Sequence, residues 1–207
     1  LYDLAARVFS AHAVMLREHF RCSPPIIAYS NRVFYRGGIH PLRIPAASER
    51  IDPPLVDIYV QDGTRDQQDC NVREAQVIAD EIAALLSDER YAGRSIGVVS
   101  LLGIEQAKLI DETVRNGCDA AELIRRRFRC GDARTFQGNE RDVMFLSLVS
   151  DPNACKALSG LMFEQRFNVA ASRARDRMYL VRSVKAEDLS DKDLRLSLLA
   201  HFNDPVL

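Results

Sequence analysis

The sequence has no apolar run approaching the ~20 residues needed to cross a bilayer. It also has no signal-peptide core, because Leu1 to Ser10 follows an amphipathic helical pattern broken by Asp3 and Arg7. Membrane insertion and secretion are therefore not expected, and a cytoplasmic protein is. Five cysteines, Cys22, Cys70, Cys118, Cys130 and Cys155, include no C-x-x-C pair. Their odd number points to free thiols in a reducing compartment, and no metal is assigned to them. Neither sign of charge dominates, with 28 Lys and Arg against 29 Asp and Glu. Such a balance argues against coating nucleic acid by bulk charge but leaves room for a local basic surface. No G-x-x-x-x-G-K-[ST] loop is present, since none of the ten glycines is followed by Lys. The lack of a glycine-rich turn after the early strands also weighs against an unrelated doubly wound small-molecule enzyme. His12, His19, His40 and His201 are scattered and read as surface or structural residues.

What is present suits one sizeable α/β domain. The chain has 207 residues and 23.3 kDa, 47% hydrophobic and 28% charged, which excludes disorder and fibrous classes. It is read as a single domain over 1–207, with a lead-in helix at 1–12 and a C-terminal helical tail at 185–207. The first residue is not Met and the chain opens in mid-helix, so a fragment of something longer is expected.

Ala13 to Leu16 reads as a strand running into Arg17–Arg21. Ser23-Pro24-Pro25 is a helix start, with Ile26, Ile27, Tyr29, Val33 and Phe34 as its apolar face and Gly37-Gly38 as its stop. A surface loop over 41–54 precedes a strand over 55–60. Val72, Ala75, Ala79, Ile82 and Leu86 recur at helical spacing. Strands are expected over 95–102, 127–130, 143–149 and 178–181, and helices over 104–114 and 193–202. The alternation gives a mostly parallel, doubly wound sheet covered on both faces. Such sheets place ligands at the carboxyl ends of their strands. Leu109-Ile110-Asp111-Glu112, the nearest approach to a magnesium-binding strand end, follows helical periodicity and reads as a solvated helix face.

The stretch Glu164 to Arg175 feeds the apolar run Met178 to Val181 as a helix feeding a buried strand. At 100° per residue, Phe163, Phe167, Ala170 and Ala174 form one stripe, with Met162, Arg166, Val169 and Arg173 on one flank and Arg175 on the other. Helical geometry thus separates Arg173 and Arg166 from Arg175 and Asn168. Taken alone, the segment is equally an amphipathic helix with a solvated basic face. Thr135 to Asp142 precedes the most hydrophobic strand; Gly138 permits close approach, Gln137 offers a donor and an acceptor, and Glu140 could accept from a sugar hydroxyl. Taken alone, it reads rather as a polar turn leading into a strand.

Three segments occur in one order: His19-Phe20-Arg21-Cys22-Ser23-Pro24 with Phe34-Tyr35, then Thr135-Phe136-Gln137-Gly138-Asn139-Glu140-Arg141-Asp142, then Arg166-Phe167-Asn168-Val169-Ala170-Ala171-Ser172-Arg173-Ala174-Arg175. Together they resemble the second RecA-like motor domain of superfamily 1 helicases, an AAA-type C-terminal helicase domain with a P-loop NTPase fold. The resemblance is to the type that includes the nonsense-mediated-decay helicase, whose patterns are Q-Y-R-M-x-P, F-Q-G-x-E-x-D and N-V-A-x-T-R-A-R. The likeness covers about residues 14 to 184.

The resemblance implies that Arg21 and Arg173 reach the γ-phosphate of an ATP bound on a neighbouring domain, as catalytic arginines. It implies that Phe20, where the family has Tyr, stacks on the adenine. It places Gln137, Gly138 and Glu140 at the nucleotide, Glu140 near the ribose, and Ser100, Asp132 and Thr135 near a single strand of nucleic acid. Asp132 stands where relatives have Thr or Ser, Leu101-Leu102 replaces Pro-Tyr, and Ser172 replaces Thr. The implied cofactors are ATP and Mg²⁺ in the full-length protein, with no magnesium ligand in this sequence. The implied partners are an N-terminal RecA-like domain of the same polypeptide and single-stranded DNA or RNA. This stretch by itself is expected not to hydrolyse ATP. The competing reading is a helicase-derived, non-catalytic docking module.

Overall fold

The computed structural model describes residue 8, residue 14 and residues 16–205. In chain order the elements are β1 (Glu18–His19), α1 (Pro24–Phe34), β2 (His40–Pro41), β3 (Leu55–Tyr59), α2 (Val72–Ser87) and β4 (Ile96–Ser100). There follow α3 (Ile104–Gly117), α4 (Ala120–Arg125), β5 (Arg129–Asp132), β6 (Arg141–Ser147), α5 (Leu161–Ala171), β7 (Ala174–Arg182) and α6 (Leu194–Asn203). The main sheet runs β3-β7-β6-β4-β5, all parallel, while β1 and β2 form a separate parallel ribbon.

Alternation along the strands explains the layers. In β6, Met144 and Leu146 face one core with Cys22, Ile26, Phe167 and Phe202, whereas Val143 and Phe145 face the other with Ile78, Ile82, Ile110 and Val114. Helices α1, α5 and α6 cover the first face, and α2 and α3 the second. The expected α/β class with helices on both faces is what the chain adopts.

Several expectations are corrected locally. The lead-in helix falls on residues of which only Val8 is described. The apolar run at 13–16 is not a strand in its described residues, since Val14 and Leu16 are exposed and carry no strand assignment; pairing with His40–Pro41 selects Glu18–His19 instead. Ser23 is the N-cap of α1 but its hydroxyl makes no capping bond. Pro24 and Pro25 have no N–H to offer, and the first available donor, Ile26 N, bonds to the Ser23 carbonyl at 3.1 Å. Helix α4, capped by Asp119 on Glu122 N, was not anticipated, because six residues are too few to show a period.

Candidate active site

The turn Phe20-Arg21-Cys22-Ser23 leaves β1 and is fastened to the junction between α5 and β7. Cys22 is fully buried, its Sγ donating to Ser172 O at 3.4 Å, and Ser23 N donates to Arg175 O at 2.9 Å. Arg43 Nη1 donates to the same Arg175 carbonyl at 2.6 Å and pairs with Asp176, which also takes Arg94. Asp176 is buried, and two arginines supply the compensation a buried carboxylate requires.

On this support Arg21 sends Nη1 to Ser172 O at 3.2 Å and Nε to Glu140 Oε2 at 2.5 Å. Arg173 donates Nε to Val169 O at 3.0 Å. Both guanidiniums thus use carbonyls at the C-terminal end of α5, where the helix dipole favours cations. Burial, and after it the neighbouring Arg21 charge, pull the Arg173 pKa below its ordinary value. Among the described residues Arg173 makes no ion pair. Glu140 also lies 3.9 Å from Arg175 Nη1, and Arg175 Nε lies 3.7 Å from Asp142 Oδ1. An open cleft of about 430 Å³ is lined by Glu18, His19, Phe20, Arg21, Glu140 and Arg175. Phe20 stands at its edge, 66% exposed, an aromatic face with no burial to account for it.

Two expectations change here. Helix α5 ends at Ala171 with Ser172 as its C-cap, and β7 begins at Ala174. Arg173 and Arg175 therefore do not lie on opposite flanks of a helix; both come within electrostatic reach of Glu140. The group also gathers at the amino edge of the sheet rather than the carboxyl edge. Glu140 immediately precedes β6, Arg173 immediately precedes β7, and Arg141 N donates to Arg173 O at 3.1 Å.

Gln137 and Gly138 occupy the turn before β6. Gly138 takes φ of 77°, a conformation that favours glycine. Gln137 is exposed and lines a pocket of 110 Å³ with Arg134, Met162 and Arg166, apart from the cleft at Arg21. Ser100 and Asp132 are register partners at the carboxyl edge. Ser100 is buried, its hydroxyl donating to Leu102 O at 3.1 Å. Asp132 accepts from Thr135 N at 2.9 Å and Thr135 Oγ1 at 2.8 Å, so those two side chains serve each other. Asp111 lies on α3 paired with Arg115 at 2.7 Å, as a helix face should be.

His19, read from the sequence as surface or structural, has a specific structural part. Its Nε2 accepts the Cys22 N–H at 3.1 Å and so closes the turn that presents Arg21. Burial, and then the Arg21 charge, hold its pKa below the ordinary 6.5. The only local signal was its place two residues before the arginine. Protonation would set a donor against a donor. Because the unfolded state binds the proton more readily, this stabilisation is fully present above about pH 6.5 and is lost as pH falls through the lower folded value. His201 shifts in the same direction by burial. The melting temperature is expected to fall on acidification below about pH 6.5, and less steeply in His19→Gln; parallel profiles would refute the assignment to His19.

A family model described as an AAA domain matches residues 2–185. The chain belongs to this AAA-domain family. The AAA domain is 26% identical over 181 residues to the mouse (Mus musculus) protein "5'-3' DNA helicase ZGRF1", covering 83% of this chain and 9% of that relative. It thus spans less than a tenth of that relative's length. Among solved structures it resembles the C-terminal domain of a possible DNA helicase from Lactobacillus plantarum, with 11% identity, a TM-score of 0.49, and coverage of 86% of this chain and 93% of the other. No helix among the described residues of the AAA domain is long and apolar enough to cross a membrane, and none of its described residues form a group of three or more His, Cys, Asp or Glu able to hold a metal ion.

Proposed function

We propose that this chain is the C-terminal motor half of an ATP-dependent superfamily 1 helicase or translocase acting in the cytoplasm on a single strand, with DNA favoured by the name of the mouse relative. The observation that carries the reading is the pair Arg21 and Arg173, two guanidiniums hung from the carbonyls of one helix end beside an exposed aromatic ring. Phosphoryl transfer spreads charge over the equatorial oxygens of the moving group, and preorganised guanidiniums stabilise that charge without reorganising. Phe20 offers the adenine a stacking face, and Glu140, on the wall of the same cleft, borders the nucleotide.

The sequence contains no phosphate-cradling loop and no magnesium-binding strand end, so an N-terminal RecA-like domain of the full-length protein supplies both. ATP then draws the two domains together and hydrolysis releases them, moving the strand. The strand runs along the carboxyl edge past Ser100, Asp132 and Thr135. Since the Ser100 and Asp132 side chains are engaged within the fold, the grip on phosphates there comes from exposed Arg134 and main-chain N–H groups. In the full-length protein, Arg21→Ala is expected to lower strand-stimulated ATP hydrolysis by at least about a hundredfold. Wild-type turnover in that variant would overturn the reading.

A further inference from the structure

Both carboxylate oxygens of Glu140 face arginines. Oε2 lies 2.5 Å from Arg21 Nε and Oε1 lies 3.9 Å from Arg175 Nη1. Of the three other carboxylates nearby, Glu18 lines the same cleft without pairing with Arg21, and two are committed elsewhere. Asp142 Oδ2 accepts from Ser95 N at 2.8 Å and Ser95 Oγ at 2.7 Å, and Asp176 is buried between Arg43 and Arg94. Glu140 is therefore the acid that neutralises Arg21 among the described residues, and it does so on the wall of the cleft that Phe20 borders. A carboxylate presents two oxygens in the plane of a guanidinium fork, much as a terminal phosphoryl group does.

We propose that Glu140 is the resting counter-ion of Arg21, an internal stand-in for a terminal phosphate, which a nucleoside triphosphate must displace before Arg21 engages it. This rests on the reading of Arg21 as a phosphate-binding arginine and departs from the assignment of Glu140 to the ribose. Between turnovers the ion pair holds Arg21 oriented rather than free in water. Only a ligand that carries the terminal phosphate can take Arg21 from Glu140, so the exchange separates triphosphate from diphosphate. A ribose contact would not, since both nucleotides carry the same sugar. With side chains 31% and 40% exposed, the pair is partly screened, and its removal acts on affinity modestly.

The test is titration of fluorescent ADP and of a fluorescent non-hydrolysable ATP analogue into the full-length protein and its Glu140→Gln, Glu140→Ala and Arg21→Ala variants. The proposal expects Glu140→Gln and Glu140→Ala to bind the triphosphate analogue about three- to fivefold more tightly, with ADP affinity unchanged. Equal weakening for both nucleotides would favour the ribose role and overturn the proposal, as would affinities equal to wild type. In either case loss of triphosphate preference in Arg21→Ala leaves the parent reading standing. If Arg21→Ala binds both nucleotides as wild type does, the parent reading itself fails. Unchanged melting curves for Glu140→Gln confirm that the comparison is between folded proteins.

Discussion

Replacing Arg173 by alanine is expected to lower strand-stimulated kcat for ATP in the full-length protein by about a thousandfold or more, the range over which positioned arginines act in phosphoryl transfer. The structural cost should be small. The Arg173 side chain gives the fold one hydrogen bond, from Nε to Val169 O, at the end of a helix whose packing rests on Phe167, Ala170 and Ala171. A lost bond of this kind is worth roughly 1 kcal/mol, so the variant should melt within a few degrees of wild type. Arg173→Lys separates charge from shape. An ammonium keeps the charge but not the planar fork, and kcat should recover by no more than about tenfold over alanine if bidentate recognition matters. Wild-type turnover in Arg173→Ala would remove the role; so would loss of turnover that merely tracks loss of folded protein.

The largest effect on stability is expected at Glu74, a residue with no part in the proposed chemistry. It sits in the first turn of α2, fully buried, and among the described residues no cation pairs with it. Its Oε2 accepts from Ser147 Oγ at 2.7 Å and Val149 N at 2.8 Å, while Oε1 accepts from Ser150 N at 3.1 Å and from the hydroxyls of Ser150 and Ser183 at 3.0 Å each. Burial pushes its carboxyl pKa up, and those donors act against the shift. The carboxylate joins α2 to the chain leaving β6 and β7. It also holds Val149 at φ of 49°, a conformation unfavourable for a β-branched residue unless its surroundings enforce it. Alanine at position 74 would leave two backbone N–H groups buried without partners, at about 1–3 kcal/mol each. We expect a loss of about 3 kcal/mol or more, equivalent to roughly 6–12 °C in melting temperature for a chain of this length. Glu74→Gln, which keeps the volume but turns an amide donor toward some of these donors, should lose about half as much. Denaturant unfolding would measure both, and a change under about 0.5 kcal/mol for alanine would refute the hub.

Much of the architecture follows from periodicity, and α2 shows why. Its apolar positions repeat at helical spacing, and its cap is local, since Asn71 accepts from Glu74 N within one turn. The buried strands β4 and β6 announce themselves as apolar runs in the same way. The end of α5 did not. The run Phe167 to Ala174 keeps a helical stripe, yet the chain leaves the helix at Ala171 because Ala174 is drawn into register beside Arg141 of β6, a competition no local pattern reports. The cap that Asn71 makes on Glu74 N is local, whereas the burial of both residues among Ser147, Ser150 and Ser183 depends on strands much later in the chain.

The linear order of residues determined, by itself, the alternating α/β plan, the covered sheet and the three segments whose sequence resembles a helicase motor half, because each is written over distances of a turn or a strand. Only tertiary packing decided that Arg21 meets Glu140, that Cys22 anchors on Ser172, and that Arg21 and Arg175 share one acid. It also decided that the group assembles at the amino edge of β6 and β7. The Arg21 and Cys22 contacts join residues 119 and 150 positions apart, and the geometry of the whole group is fixed by strand register and helix termination, which arise only when the whole sheet has formed.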